Sequence, residues 1–178
     1  MKDVYKKLDS VLDSFEHDLI ERCEYVPHKY DIEDKLSADN LFKIQKNGNL
    51  DKANSIDDND NRLILDLSYL YGIDFKGLVE KETGIKRKYS GFFWYPCDAF
   101  CGWHTNNNAE GERMYFTWAA ESNKSFFRYQ DPDTKEIITD WDKKGWQYRK
   151  FNVSRSKSYW HCVGSKTNRI SIGLRLDK

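Results

Sequence analysis

Beyond Ser90, apolar and polar residues alternate with a period of two, in short runs rich in aromatic and β-branched side chains. We read eight such runs, at 90–96, 100–106, 113–119, 125–129, 136–141, 146–153, 158–163 and 169–176. Turn chemistry fills the breaks, in Asn107-Asn108-Ala109-Glu110-Gly111, Asp131-Pro132-Asp133-Thr134, Lys143-Lys144-Gly145 and Gly164-Ser165-Lys166-Thr167-Asn168. No helix-length pattern interrupts them. Strands this short and numerous bury their apolar faces by stacking as two sheets or closing on themselves, which predicts a jelly roll or barrel.

The first 87 residues read differently. Val4, Leu8, Leu12, Phe15 and Leu19 recur at three- and four-residue steps, predicting a helix over about 2–24 that ends before Pro27. A second helix is expected over 33–46, stopping at Asn47-Gly48-Asn49, and the acidic stretch 51–61 reads as a loop. Leu63 to Tyr71 reads as a helix ending at Gly72, and a last one is expected over 74–83, closed by Gly84. The division is thus 1–87, mostly helical, and 88–178, mostly strand.

Composition narrows the possible partners. A chain of 178 residues buries roughly 70% of its unfolded surface and needs no covalent staple. Lys+Arg and Asp+Glu number 29 each, which argues against nucleic acid or membrane held by bulk charge. The basic positions Lys143, Lys144, Arg149, Lys150, Arg155 and Lys157 read as an ordinary solvated face. Ten Phe, eleven Tyr and six Trp, mostly after residue 90, predict an aromatic β core. Four cysteines are too few for a disulfide scaffold, and the charged start Met1-Lys2-Asp3-Val4-Tyr5-Lys6-Lys7 reads as helix, not secretory signal. No apolar run approaches the roughly 18 residues of a membrane span. The expectation is a reduced cytoplasmic protein.

His104 and Asn106 stand two apart in the second run, a spacing that puts both side chains on one strand face. His161 stands in the seventh run. Two residues at i and i+2 with a histidine from a paired strand can present three ligands to one side of a metal, leaving positions for substrate and oxygen. Eight residues after His161, Arg169 and Ser171 share a face, where a guanidinium and a hydroxyl suit a carboxylate, and Tyr95 could add a phenolic donor. Taken singly, each has an ordinary reading, as a core histidine, a surface ion pair or a core tyrosine.

Together these residues resemble the Fe(II)- and 2-oxoglutarate-dependent dioxygenases, closest to their prolyl-4-hydroxylase-like branch. The stretch Tyr95-Pro96-Cys97-Asp98-Ala99-Phe100-Cys101-Gly102-Trp103-His104-Thr105-Asn106 is similar to that branch's Tyr…Gly…Phe…His-x-Asp segment. Residues 113–119 resemble its next strand, and Asn123-Lys124-Ser125-Phe126-Phe127 stands where the branch has a Gly-Gly-x-Thr-x-Phe turn. His161 and Arg169-Ile170-Ser171 resemble the distal histidine and the Arg-x-Ser that binds 2-oxoglutarate. A looser likeness is to small dioxygenase-like proteins of bacteriophages. The resemblance covers 90–176. It implies an α+β fold in which N-terminal helices pack on a double-stranded β-helix, the cupin-like jelly roll. It also implies Fe(II) on His104, His161 and Asn106, with 2-oxoglutarate held by Arg169, Ser171 and Tyr95. The reaction implied is oxidation of a substrate C–H by O2, with release of succinate and CO2. Trp103, Trp118, Trp160 and Phe127 are candidates for the pocket wall. Substrate and oligomeric state do not follow.

The departure from the pattern is Asn106, a neutral amide where the family has a carboxylate. Three readings compete: a working His-Asn-His site, a carboxylate supplied by Glu110, or a jelly roll that has lost catalysis and serves binding or structure. A metal-dependent cupin without 2-oxoglutarate is a further rival, against which Arg169 and Ser171 argue. A zinc site from Cys97, Cys101, His104, His161 and Cys162 has ligand-like spacing. Strand parity opposes it, since Cys101 and His104, three apart, belong on opposite faces.

Overall fold

A computed structural model describes residues 1–21, 32–47, 60–107 and 109–176, with backbone alone for 13–21 and 69. The expected helix end at Pro27 and the loop at 51–59 lie outside the described residues. Helix α1 spans Lys2–Glu21 and buries Val4 and Leu8 of the expected stripe, with Leu12 partly buried and Val11, outside that stripe, buried beside them; the side chains of Phe15 and Leu19 lie outside the described residues. The single helix expected over 33–46 is two, α2 at Ile32–Lys35 and α3 at Ala38–Lys46. Ser37 breaks them: it turns extended (φ −68°, ψ 157°), and its hydroxyl caps α3 by accepting from the Asn40 backbone N–H at 3.1 Å.

The helix expected over 63–71 is a correction. Leu63–Ile64 form a short strand, β1, opposite Trp94 and Phe93, and only Ser68–Tyr71 are helical, as α4. A short apolar run carries no periodicity that separates helix from strand, and here the open edge of the next strand claims it. Helix α5 spans Phe75–Thr83, between an Asp74 cap that accepts from the Gly77 N–H and Gly84 at φ 69°.

Each of the eight aromatic runs carries a strand: β2 Arg87–Tyr95, β3 Phe100–His104, β4 Gly111–Ala119, β5 Ser125–Gln130, β6 Ile137–Trp141, β7 Gly145–Val153, β8 His161–Ser165 and β9 Arg169–Leu176. They build two antiparallel sheets, in the orders β1-β2-β9-β4-β7 and β3-β8-β5-β6. The architecture is a β-sandwich. Tyr95, Cys101, Phe127, Phe151, Val153 and Val163 fill the space between the sheets.

The outer faces are covered by the N-terminal segment. Val4, Leu8, Leu70, Phe75 and Val79 pack on Phe92, Trp94, Phe116, Ile170 and Ile172 of the larger sheet. Ile32, Leu36 and Leu41 pack on Phe100, Trp103, Phe126, Trp160 and Cys162 of the smaller one. There, polar groups fix the cover: Trp103 Nε1 donates to the Ser37 carbonyl at 2.9 Å and Arg128 Nη1 to that of Leu36 at 2.7 Å. No described helix is long and apolar enough to cross a membrane.

Gly164 in β8 is where the cover comes closest. A Cβ there would stand 2.7 Å from both Leu36 Cδ1 and Phe126 Cζ. Gly164→Ala should therefore lower stability by about 1–3 kcal/mol through overpacking. Urea denaturation of the variant against wild type measures it.

Candidate functional site

β3 ends on His104 and β8 begins on His161, and the two residues are direct partners across the ladder. Their ring centroids lie 4.2 Å apart. Nδ1 of His104 is 2.8 Å from the Gly102 carbonyl and Nδ1 of His161 is 3.0 Å from that of Tyr159. A carbonyl only accepts, so each Nδ1 carries the proton and each Nε2 keeps its lone pair, the tautomer a metal ligand needs. Phe127, Phe151 and Tyr159 pack around the His161 ring at 5.3, 5.4 and 5.7 Å between centroids.

Asn106 lies past the end of β3, so strand parity does not place it. The following turn does: its Nδ2 donates to His161 Nε2 at 3.1 Å and to the Tyr115 hydroxyl at 3.2 Å. Glu110 is not brought to the histidines. It is exposed and accepts from the Arg155 backbone N–H at 2.7 Å.

Cys101 and His104 do not lie on opposite faces, as their spacing of three predicts. A bulge between Cys101 and His104 sets three steps of β3 against two of β8, so both side chains turn inward, with Cys101 Sγ 3.5 Å from His104 Nδ1. That nitrogen already faces a carbonyl. Cys162 lies in the outer layer with α2, and Cys97 is exposed. Among the described residues no three His, Cys, Asp or Glu side chains gather as a metal site.

A small pocket opens beside the histidines. Arg62, Phe93, Tyr95, Tyr115, Val163 and Ser171 line it together with the imidazoles, and Gly91 and Gly173, partners across β2 and β9, add bare backbone. Three of the four expected wall aromatics face elsewhere: Trp103 and Trp160 pack under α2, and Trp118 against the helices on the larger sheet. Phe127 is in the inner layer.

Tyr95 and Ser171 thus lie at the pocket, but Arg169 does not line it. Its guanidinium, expected to be free, is committed to Asp142: Nε to Oδ2 is 2.8 Å, and Nη2 donates to Thr117 Oγ1 at 3.3 Å. It stacks 5.0 Å from the Tyr95 ring, and its Nη1 is buried with no hydrogen-bond partner among the described residues. Asp142 is fully buried; it is ion-paired with Arg149, whose Nη1 stands 2.8 Å from Oδ1, and accepts from Ser125 Oγ at 2.6 Å and Gln147 Nε2 at 2.9 Å. Burial pushes the Asp142 carboxyl up, but Arg169 and Arg149 outweigh it and hold the group below its ordinary range.

Sequence reasoning missed Arg62, Tyr115 and Asp142. Tyr115 stands on the inward phase of an expected strand and was findable from alternation. Nothing local marks the other two.

The chain matches no protein-family model and no curated protein. Among solved structures it is similar to a prolyl-4-hydroxylase of Pseudomonas putida, at 15% identity and a TM-score of 0.45, over 79% of this chain and 84% of that one. It is also similar to an oxidoreductase of the 2OG-Fe(II) oxygenase family from Burkholderia pseudomallei, at 12% identity and a TM-score of 0.43. That overlap covers 65% of this chain and 63% of the Burkholderia protein, under two thirds of its length. Superpositions this loose carry no information about chemistry.

Two outcomes follow from the buried charges. Burial depresses the His104 pKa from 6.5 to about 4, and that of His161 moves the same way. The unfolded chain then takes up the proton first as pH falls. The stability in question is complete above about pH 6.5 and is lost on acidification towards pH 4, by about 3 kcal/mol for His104 alone. Denaturation of chelator-treated protein across that range measures it, and His104→Gln should flatten the dependence. Arg169→Ala, which leaves the Asp142 carboxylate buried and half-paired, should cost about 3–5 kcal/mol. Asp142→Asn in the same background should recover part of that loss in thermal melts.

Proposed function

We propose that the chain is an Fe(II)- and 2-oxoglutarate-dependent oxygenase built on a double-stranded β-helix, with residues 88–178 as the catalytic unit and 1–87 as its helical cover. The observation that carries this reading is the pair of Nδ1-anchored imidazoles with Asn106 against them, in a pocket between two sheets. The interleaved orders β2-β9-β4-β7 and β3-β8-β5-β6 support the fold half of it.

The residues present fit both groups. His104 and His161 would hold the metal through Nε2, with Asn106 offering its amide oxygen as third ligand, since the amide's two ends exchange by a half-turn. Tyr95 and Ser171 are hydroxyl donors in a pocket whose lining includes a cation and no carboxylate, suited to a dicarboxylate. Iron(II) with 2-oxoglutarate and O2 would supply the oxidising power when bound, with succinate and CO2 released as a substrate C–H is oxidised. The chain's own part is placement. Carbonyls 102 and 159 lock the two rings, the aromatic shell keeps water from His161, and Tyr115 steadies Asn106. The free thiols Cys97, Cys101 and Cys162 suit a reducing compartment such as the cytoplasm.

One observation favours a second reading, a jelly roll that has lost catalysis: His161 Nε2 already accepts from Asn106, so its lone pair is satisfied within the protein.

Iron titration and a succinate assay separate the two. On the oxygenase reading, His161→Ala abolishes Fe(II) binding, Asn106→Ala weakens it, and Asn106→Asp strengthens it about tenfold or more by restoring a negative charge. Glu110→Gln leaves it unchanged. Wild type that neither binds iron nor forms succinate would establish the second reading.

A further inference from the structure

We infer that the cation receiving a carboxylate in this pocket is Arg62, from the N-terminal segment, rather than Arg169. The inference rests on the cosubstrate reading above and assigns its anion-binding group.

Arg62 is the one charged side chain among the lining residues. It stands immediately before β1 and is held from three sides. Nε pairs with Asp60 Oδ2 at 2.7 Å, while Asp60 Oδ1 accepts the Arg62 backbone N–H at 3.0 Å. The guanidinium lies over the Phe93 ring, 3.8 Å from its centroid, and Nη1 donates to the Tyr95 hydroxyl at 3.4 Å. Nη2 makes no hydrogen bond among the described residues. A guanidinium so placed loses little freedom on meeting an oxyanion. The Tyr95 and Ser171 hydroxyls share its pocket and complete a donor set for one carboxylate.

Arg169 is placed for another task. Its side chain is 1% exposed against 24% for Arg62, and it is spent on a fully buried carboxylate. Turning it towards a ligand would leave Asp142 short of a partner in the interior, a loss one ligand contact does not offset. Its Nη1 is buried and has no hydrogen-bond partner among the described residues, while Nη2 is held by Thr117 and the guanidinium lies over the Tyr95 ring. The ligand class is a small carboxylate, with the far carboxylate of 2-oxoglutarate as the case at hand.

The test is calorimetric titration of 2-oxoglutarate into protein loaded with Mn(II), a divalent ion that binds without turnover. Arg62→Gln should weaken 2-oxoglutarate by about 10- to 100-fold, the worth of a charge-assisted hydrogen bond, and leave Mn(II) affinity unchanged. Arg62→Lys, keeping charge without the planar fork, should fall between. If Arg62→Gln does not fold, Arg62→Lys carries the test: weaker binding supports the assignment and wild-type binding overturns it. Arg62→Gln within about twofold of wild type also overturns it. Wild type that takes Mn(II) but not 2-oxoglutarate refutes the cosubstrate reading instead. Glutarate, which has the two carboxylates without the keto group, then decides Arg62: binding lost in Arg62→Gln supports the assignment, and no binding by wild type overturns it.

Discussion

One buried carboxylate ties the two sheets of the sandwich together. Asp142, just past β6, takes Arg169 from β9, Arg149 from β7 and Ser125 from β5, so a single side chain ties strands of both sheets. Such a cluster adds less net stability than an apolar core of equal volume, because both charges give up water. What it supplies is an arrangement in which no partner moves alone. Arg169 sets the row of Tyr95 and Ala119 beside it, and two residues along β9 Ser171 meets Phe93 and Thr117. The inner face therefore reaches the pocket with its rows in register.

Much of this was legible in the sequence, for a physical reason. Strands buried on one or both faces must alternate or run apolar, and turns between them need particular backbone shapes, so the eight runs from 90 to 176 announce themselves. Parity serves until the ladder slips. It pairs His161 inward with Cys162 outward, but the bulge after Cys101 adds a residue that no local pattern signals, and Cys101 joins His104 on the inner face. Leu63 and Ile64 show another limit: two apolar residues have no period, and their strand exists because the β2 edge needs a partner. Arg62 and Asp142 are tertiary facts. Each follows a loop or strand end whose composition is unremarkable, and only folding brings Arg62 beside Tyr95 or Asp142 beside Arg169.

The electrostatics of the pocket would be unusual for the metal centre proposed there. Two neutral imidazoles and a neutral amide face Arg62, and the charges of Arg62 and Arg113, after burial and His104, disfavour protonation of His161. A bare dication would find little compensating charge in that setting, whereas an anion would find donors. The His-Asn-His set and the cationic wall are thus mutually consistent when a metal and an acid share the site, and poorly matched for either alone.

β8 is a partition with unlike tenants. Its first residue presents an imidazole to the pocket, its second a thiol to the helical cover, and its fourth has no side chain at all, so that Leu36, just past α2, sits directly on the strand. The backbone that aims His161 is the same backbone against which Leu36 rests. Packing on the outside and side-chain geometry on the inside are therefore one mechanical problem, and the N-terminal cover bears on the candidate site although no described helical residue lines its pocket.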